Sequence, residues 1–158
     1  EVASQIVFWM FGSLLKSNWI GVAVSGSIFL ISLIVLSHYT WQLTALSAGE
    51  ERARSLGINT DRLRLHVFII SSLLTAGAVS FVGTIGFIGL VAPHFARILV
   101  GEDQRYLFPM SALFGVLLMV SASIVAKIVI PGVIVPIGIV TSLIGVPFLL
   151  YLILRRMK

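Results

Sequence analysis

The residues with the greatest capacity for polar chemistry lie in one stretch, 46–57, whose sequence is LSAGEERARSLG. Its charged side chains alternate with Ala53 and Leu56, at spacings that allow ion pairs between helical residues four apart. Gly49 precedes the charges, and Gly57 is a residue type that ends helices. The pattern predicts one or two short helices, which form either a solvated loop or a docking surface for a cytoplasmic partner. The charged residues are Glu50, Glu51, Arg52 and Arg54.

Histidines are the second candidate for chemistry. His38, His66 and His94 are spaced 28 residues apart, but their flanking sequences differ and indicate no repeat. A shared metal site would require them to converge with a further ligand; the alternative is three separate, hydrogen-bonded histidines near a membrane surface. The chain has no cysteine and no G-K-[ST] phosphate loop. We therefore expect no catalytic residue, metal, cofactor or ATP hydrolysis in this chain.

A glycine run opens the third stretch, 83–97, whose sequence is GTIGFIGLVAPHFAR. Gly83, Gly86 and Gly89 recur at a spacing of three, which favours close packing of helix backbones in lipid. Pro93 lacks a backbone N–H and is expected to bend the helix that contains it. The run is not a dinucleotide-binding fingerprint, because no strand–turn–helix pattern surrounds it.

The composition predicts that a lipid bilayer surrounds these residues. Of the 158 residues, 58% are hydrophobic and 11% are charged, and the mean hydropathy is +1.09. A soluble domain has about 25% charged residues. The composition therefore excludes a soluble enzyme or binding module, and it predicts an all-α, polytopic transmembrane helical bundle.

Runs of about 20 apolar residues mark the expected membrane spans. Pro136 fits the first turn of the last one, and no acidic residue lies inside any span, which argues against a proton relay. A short apolar helix is expected before the first span. Because residue 1 is Glu, we expect a piece of a longer protein. The expected elements are a short outer helix at about 2–15 and spans at about 19–36, 64–82, 84–100, 106–127 and 136–154.

Basic residues predict the orientation of these spans. Alternating spans place nine Lys and Arg residues on one side and only Lys16 and Lys127 on the other. The excess marks the cytoplasmic side, so the C-terminus is expected in the cytoplasm. The larger set is Arg52, Arg54, Arg62, Arg64, Arg97, Arg105, Arg155, Arg156 and Lys158.

Four passages, taken in order, resemble one known family: residues 8–13, 46–57, 83–97 and 136–147. Together they resemble the permease subunits of binding-protein-dependent ABC importers for iron–siderophore complexes, haem and cobalamin, the FecCD-type family. The resemblance implies the C-terminal half of a ten-helix subunit that works as a dimer in the cytoplasmic (inner) membrane of a prokaryote. It implies a separate ABC ATPase subunit and an extracytoplasmic substrate-binding protein as partners, and no nucleic acid.

The resemblance also implies roles for particular residues. Residues 49–54, Leu56 and Gly57 would contact the ATPase, with Ala53 allowing close approach, and Lys127 would meet a carboxylate of the binding protein. Ser123 and Ile134 depart from positions that are often acidic in the family. A secondary transporter or channel without an ATPase is the alternative function. Helix packing and the transport pathway would involve Gly83, Gly86, Gly89, Pro93, Pro136, Gly138 and Pro147.

Overall fold

The computed structural model describes residues 6–7, 9–14, 17–129 and 135–156. These residues form six helices and contain no strand. The described part of the expected outer helix, 2–15, is helical at 6–7 and 9–10. The six helices are α1 (Trp19–Ser47), α2 (Glu50–Ser55), α3 (Thr60–Val82), α4 (Ile88–Val100), α5 (Gln104–Ile128) and α6 (Ile137–Arg156).

Four of these helices, α1, α3, α5 and α6, are long and apolar enough to cross a membrane. They confirm the predicted helical bundle and correspond to four of the five expected spans. Helix α1 has 29 residues and continues well past the apolar run at 19–36, because the polar residues that follow remain helical.

The expected span at 84–100 is corrected by the structure. Helix α4 begins only at Ile88 and has 13 residues, which is about 20 Å of helix against about 30 Å of hydrocarbon. Gly83 ends α3 with φ +75°, and Phe87 adopts the left-handed conformation with φ +68°. Hydropathy alone does not reveal this interruption, because residues 83–87 include no charged residue.

Polar side chains fix the starts of three helices. The Asn18 side chain accepts a hydrogen bond from the Gly21 N–H at 2.6 Å, and the Asn59 side chain accepts one from the Arg62 N–H at 3.0 Å. Asp103 does the same at the start of α5. Such caps satisfy backbone donors that have no partner within the helix. They therefore determine where α1, α3 and α5 begin after each polar connection.

Two ends of the bundle can be distinguished. At the connector end, which carries α2, the Gln104 N–H bonds to Thr44 Oγ1 at 3.1 Å, so α5 starts beside the end of α1. At the opposite end, where the segment around Gly12 meets the end of α3 and the start of α6, the Ser13 N–H bonds to the Val82 carbonyl at 2.9 Å. We call this the junction end. The Ile137 N–H bonds to the Gly12 carbonyl at 3.2 Å, so α6 starts where α3 finishes.

The core is concentrated where α5 and α6 meet. Ala122 and Ala126 of α5 pack with Ile137 and Val140 of α6 in one buried cluster. Phe95 of α4 stacks on Phe148 of α6 with ring centroids 5.4 Å apart, and most large apolar side chains are exposed. Such exposure fits surfaces that face lipid or further helices.

Candidate functional site

Helix α2 is a short, glycine-bounded connector between the two long helices α1 and α3. Gly49 and Gly57 have φ +126° and +81°, values that L side chains rarely adopt. The Gly57 N–H bonds to the Arg54 carbonyl at 2.9 Å and closes the last turn. Both glycines are exposed, with open space where a Cβ would be. Their role within the chain is therefore backbone conformation.

An ionic bridge joins α2 to α3 through Glu50. Arg54 Nη2 donates to Glu50 Oε1 at 2.7 Å, and Arg64 Nη2 donates to Glu50 Oε2 at 2.7 Å. Thr60 Oγ1 accepts from Arg54 Nε at 3.2 Å and donates to Glu50 Oε1 at 3.4 Å. Thr60 itself is 1% exposed. We call the group of Glu50, Arg54, Thr60 and Arg64 the α2–α3 brace.

The electrostatics of the brace favour an ionised Glu50. The hydrogen bond from Arg64 is the largest cause that lowers the pKa of this carboxyl, and the charges of Arg64 and Arg54 lower it further. Partial desolvation acts in the opposite direction. A carboxylate that accepts two guanidinium bonds is geometrically fixed as well as charged. Glu50 therefore sets the orientation of α2 relative to α3.

Two charged side chains of α2, those of Glu51 and Arg52, face outward. Glu51 and Arg52 are exposed, and within the part of the chain that the structure describes neither forms an ion pair. Leu56, just after the helix, is 58% exposed. The four charges that the sequence groups together thus divide into an internal pair and an outward pair. That division depends on Arg64, which sequence reasoning missed because no local spacing connects it to Glu50.

Ala53 requires a correction. The sequence analysis expects its small side chain to allow a partner to approach, but Ala53 is 0% exposed and buried by this chain itself. Its carbonyl accepts a hydrogen bond from the Ile58 N–H at 3.1 Å, which folds the connection back onto α2. The small side chain therefore serves packing within the connector.

Lys127 lies at the opposite end of the molecule, in the last turn of α5. It is exposed and has no ion pair among the described residues. From Gln104 to Lys127 the helix rises about 35 Å, close to the thickness of a hydrocarbon core. Ile134, one of the two departures from often acidic positions named in the sequence analysis, lies outside the described residues.

Two of the expected packing glycines contact other parts of the chain. At Gly83, an added Cβ would collide with the Trp9 carbonyl oxygen, and at Gly138 it would collide with the Phe11 carbonyl oxygen. The Gly138 N–H also bonds to that Phe11 carbonyl at 3.0 Å. Both glycines therefore permit the close backbone contacts at the junction end.

The shared glycine face expected in 83–97 is wrong. Gly83 ends α3, Gly86 lies in the non-helical segment, and only Gly89 is in α4. A Cβ at Gly86 or Gly89 would meet nothing within 4 Å. The left-handed Phe87 breaks the helical period on which that face depended.

The predicted prolines occupy three different positions. Pro93 lies inside α4 and Pro147 inside α6, whereas Pro136 directly precedes α6.

Sequence reasoning missed the contact between Phe87, just before α4, and Gly145 of α6. The Phe87 side chain occupies the space where Gly145 would carry a Cβ. The positive φ of a phenylalanine has no sequence signal that could have revealed it.

The histidines have separate environments. His38 Nδ1 lies 2.8 Å from the Ile34 carbonyl oxygen, His66 stacks on Tyr39, and His94 meets Phe148 edge-on. Among the described residues, no group of three or more His, Asp or Glu side chains could hold a metal ion. The structure therefore does not bring these histidines together.

The fold and its two ends define a polytopic helical membrane protein with a braced connector helix at one end. Comparison with known proteins identifies the family. The FecCD transport family matches residues 1–155, and the chain belongs to that family.

Two relatives illustrate the match. The cobalamin import system permease of Halobacterium salinarum is 41% identical over 95% of this chain and 40% of its own length. The hemin transport system permease of Yersinia pestis is 38% identical over 96% of this chain and 46% of its own length. The chain therefore spans less than half the length of these relatives.

A solved structure shares the fold. It is an inward-facing structure of a transporter of the metal-chelate ABC type, with a TM-score of 0.90 and 35% sequence identity. The likeness covers 98% of this chain and 50% of the solved chain. The helical arrangement described here is thus that of one half of such a transporter chain.

Proposed function

We propose that the chain is the C-terminal half of the permease of an ATP-driven importer in a prokaryotic cytoplasmic membrane. Its connector end faces the cytoplasm and docks a separate ATPase subunit, because this end carries most of the basic residues. The observation that carries the proposal is the division of α2. Glu50 braces the helix against α3, while Glu51 and Arg52 remain exposed and unpaired within the described chain.

A braced docking helix suits a coupling role. Holding α2 in one orientation before the partner arrives reduces the ordering cost of association. The exposed Leu56 offers an apolar contact, and the flanking charges offer polar ones. ATP binding in the partner would then move α2 and the helices attached to it, opening the pathway alternately to each side. The permease itself performs no covalent chemistry.

The cargo class follows from the names of the relatives. Permeases named for cobalamin and hemin match this chain in sequence, and a metal-chelate type transporter matches it in structure. We therefore propose an iron–siderophore complex, haem or cobalamin as cargo. The pathway would run along the axis of a permease dimer. Helices α4 and α6 are proposed to line it or to move, because Phe87 and Gly145 join them beside the break in the predicted third span.

The first experiment tests docking on the full-length permease with its ATPase. Glu51→Arg should weaken ATPase association about tenfold, because it reverses an exposed charge at the contact. The control is Glu102→Arg, which reverses an exposed acidic residue outside α2 at the same end and breaks its surface ion pair with Arg97. Unchanged co-purification and unchanged ATP-dependent uptake for Glu51→Arg would contradict the docking role. Uptake that follows an ion gradient without ATP would favour a secondary transporter.

The second experiment tests the junction end. We propose that Lys127 pairs with a carboxylate of an extracytoplasmic substrate-binding protein. Lys127→Glu should weaken docking of that protein severalfold at low ionic strength, with a smaller effect at high salt, where exposed charges are screened. Lys127→Gln provides the neutral control. Identical docking of all three proteins at low salt would contradict this role.

A further inference from the structure

A groove of about 410 Å³ lies between α1 and α3 at the connector end. The segment after α2 closes it on one side through Leu56 and Gly57. Its lining combines aromatic, cationic and amide side chains and includes no Asp or Glu. The chemically distinctive lining residues are Tyr39, Trp41, Gln42, Asn59, Arg62 and His66.

Helix length places this groove at the depth of lipid headgroups. The 29 residues of α1 extend about 43 Å, whereas about 20 residues suffice to cross the hydrocarbon. The apolar run at 19–36 supplies nearly that number. Tyr39 and Trp41 therefore lie beyond the hydrocarbon, in the layer where aromatic residues are enriched.

The groove carries a positive charge that no acidic residue of its lining neutralises. Arg62 is exposed, and its guanidinium forms no ion pair with the residues that the structure describes. The His66 ring stacks on Tyr39 with centroids 5.9 Å apart and an interplanar angle of 22°. This stack forms a flat wall one helical turn beyond Arg62. A cation beside an aromatic wall at headgroup depth complements a phosphate on a lipid.

We propose that this groove binds the glycerophosphate headgroup of an anionic phospholipid. Arg62 pairs with the phosphate, the indole N–H of Trp41 and the hydroxyl of Tyr39 bond to the glycerol oxygens, and the aromatic rings cover the upper acyl chain. The inference rests on the proposed function in one respect, the side of the membrane, because the proposed function places the groove in the cytoplasmic leaflet. A lipid held here would contact α1, α3 and the end of the connector together.

The test is native mass spectrometry of the full-length permease in detergent, titrated with phosphatidylglycerol or phosphatidylcholine. We expect preferential retention of phosphatidylglycerol, reduced about fivefold by Arg62→Gln, as for one basic residue at an anionic surface. Arg105→Gln is the matched control, since Arg105 is also exposed, lies in a first helical turn and belongs to the same end. It should retain wild-type preference.

Several outcomes would overturn the proposal. Equal retention of the two lipids would show that the groove does not prefer an anionic headgroup. Equal losses for Arg62→Gln and Arg105→Gln would reduce the effect to general surface charge. Competition by soluble glycerol 3-phosphate at the same concentration would indicate a free phosphate site. Release of phosphatidylglycerol on adding the ATPase would indicate that the groove docks protein. None of these results alters the ATPase association measured for Glu51→Arg, so the two proposals fail separately.

Discussion

Gly83 and Gly101 form a matched pair that tests how tightly the junction end is packed. They follow α3 and α4, with φ/ψ of 75°/−168° and 76°/−153°. Alanine in this region of backbone conformation costs about 1–3 kcal/mol at either position. Their surroundings differ, because a Cβ at Gly83 would collide with the Trp9 carbonyl oxygen, whereas at Gly101 it would meet nothing within 4 Å.

The difference between the two variants isolates the collision. Gly101→Ala should lower the free energy of unfolding by the backbone cost alone, whereas Gly83→Ala should lose about 1–3 kcal/mol more through overpacking. The assay is denaturant unfolding of the purified full-length permease, followed by circular dichroism. Equal losses for the two variants would refute the inferred close packing between the segment around Trp9 and the end of α3.

Two further predictions concern the α4–α6 contact and the brace. Gly145→Ala should destabilise the permease by about 1–3 kcal/mol, because the added Cβ would collide with Phe87. The control Gly115→Ala adds its Cβ into open space and should be neutral or stabilising. Equal unfolding midpoints for the two variants would contradict this prediction. The lowered pKa of Glu50 means that the brace is present above the ordinary carboxyl pKa and is lost as pH falls through the lowered value. The stability difference between wild type and Glu50→Gln, measured by thermal unfolding, should therefore be constant near pH 7 and shrink below about pH 4.3; a pH-independent difference would contradict it.

The sequence predicted most of the architecture because membrane spans depend on length and hydropathy. Four runs of apolar residues became four helices of sufficient length. The largest boundary difference is in α1, which extends from the expected end near residue 36 to Ser47. Hydropathy indicates where a helix leaves lipid, whereas the helix itself continues as long as its backbone hydrogen bonds do.

The sequence analysis separates the second and third spans at residue 83, but the non-helical segment that continues to Phe87 lay beyond sequence reasoning for a different reason. Residues 83–87 are apolar or small, and their composition is compatible with a helix. The interruption is held by contacts between distant segments: Thr84 Oγ1 donates to the Met10 carbonyl, and Phe87 packs on Gly145. Such long-range contacts override local propensity. They cannot be inferred from the spacing of Gly83, Gly86 and Gly89.

The sequence analysis expects one or two short helices in 46–57, and α2 lies there, but the sequence does not reveal how the charges of that helix divide. A cluster of charges between two spans indicates an exposed connector, and α2 is one. Whether a given carboxylate serves the interior or a partner depends on which cations the fold brings near it. Arg64 lies 14 residues from Glu50 in sequence, and the turn capped by Asn59 brings it to 2.7 Å.

The brace has a mechanical consequence for the proposed function, because α3 is anchored at both of its ends. At the connector end, Arg64 and Thr60 tie it to α2. At the junction end, the Val82 carbonyl bonds to the Ser13 N–H, in the same segment whose Gly12 carbonyl bonds to the start of α6. The helix between these anchors has 23 residues and spans about 34 Å. A displacement of α2 therefore reaches the start of α6 through one continuous helix.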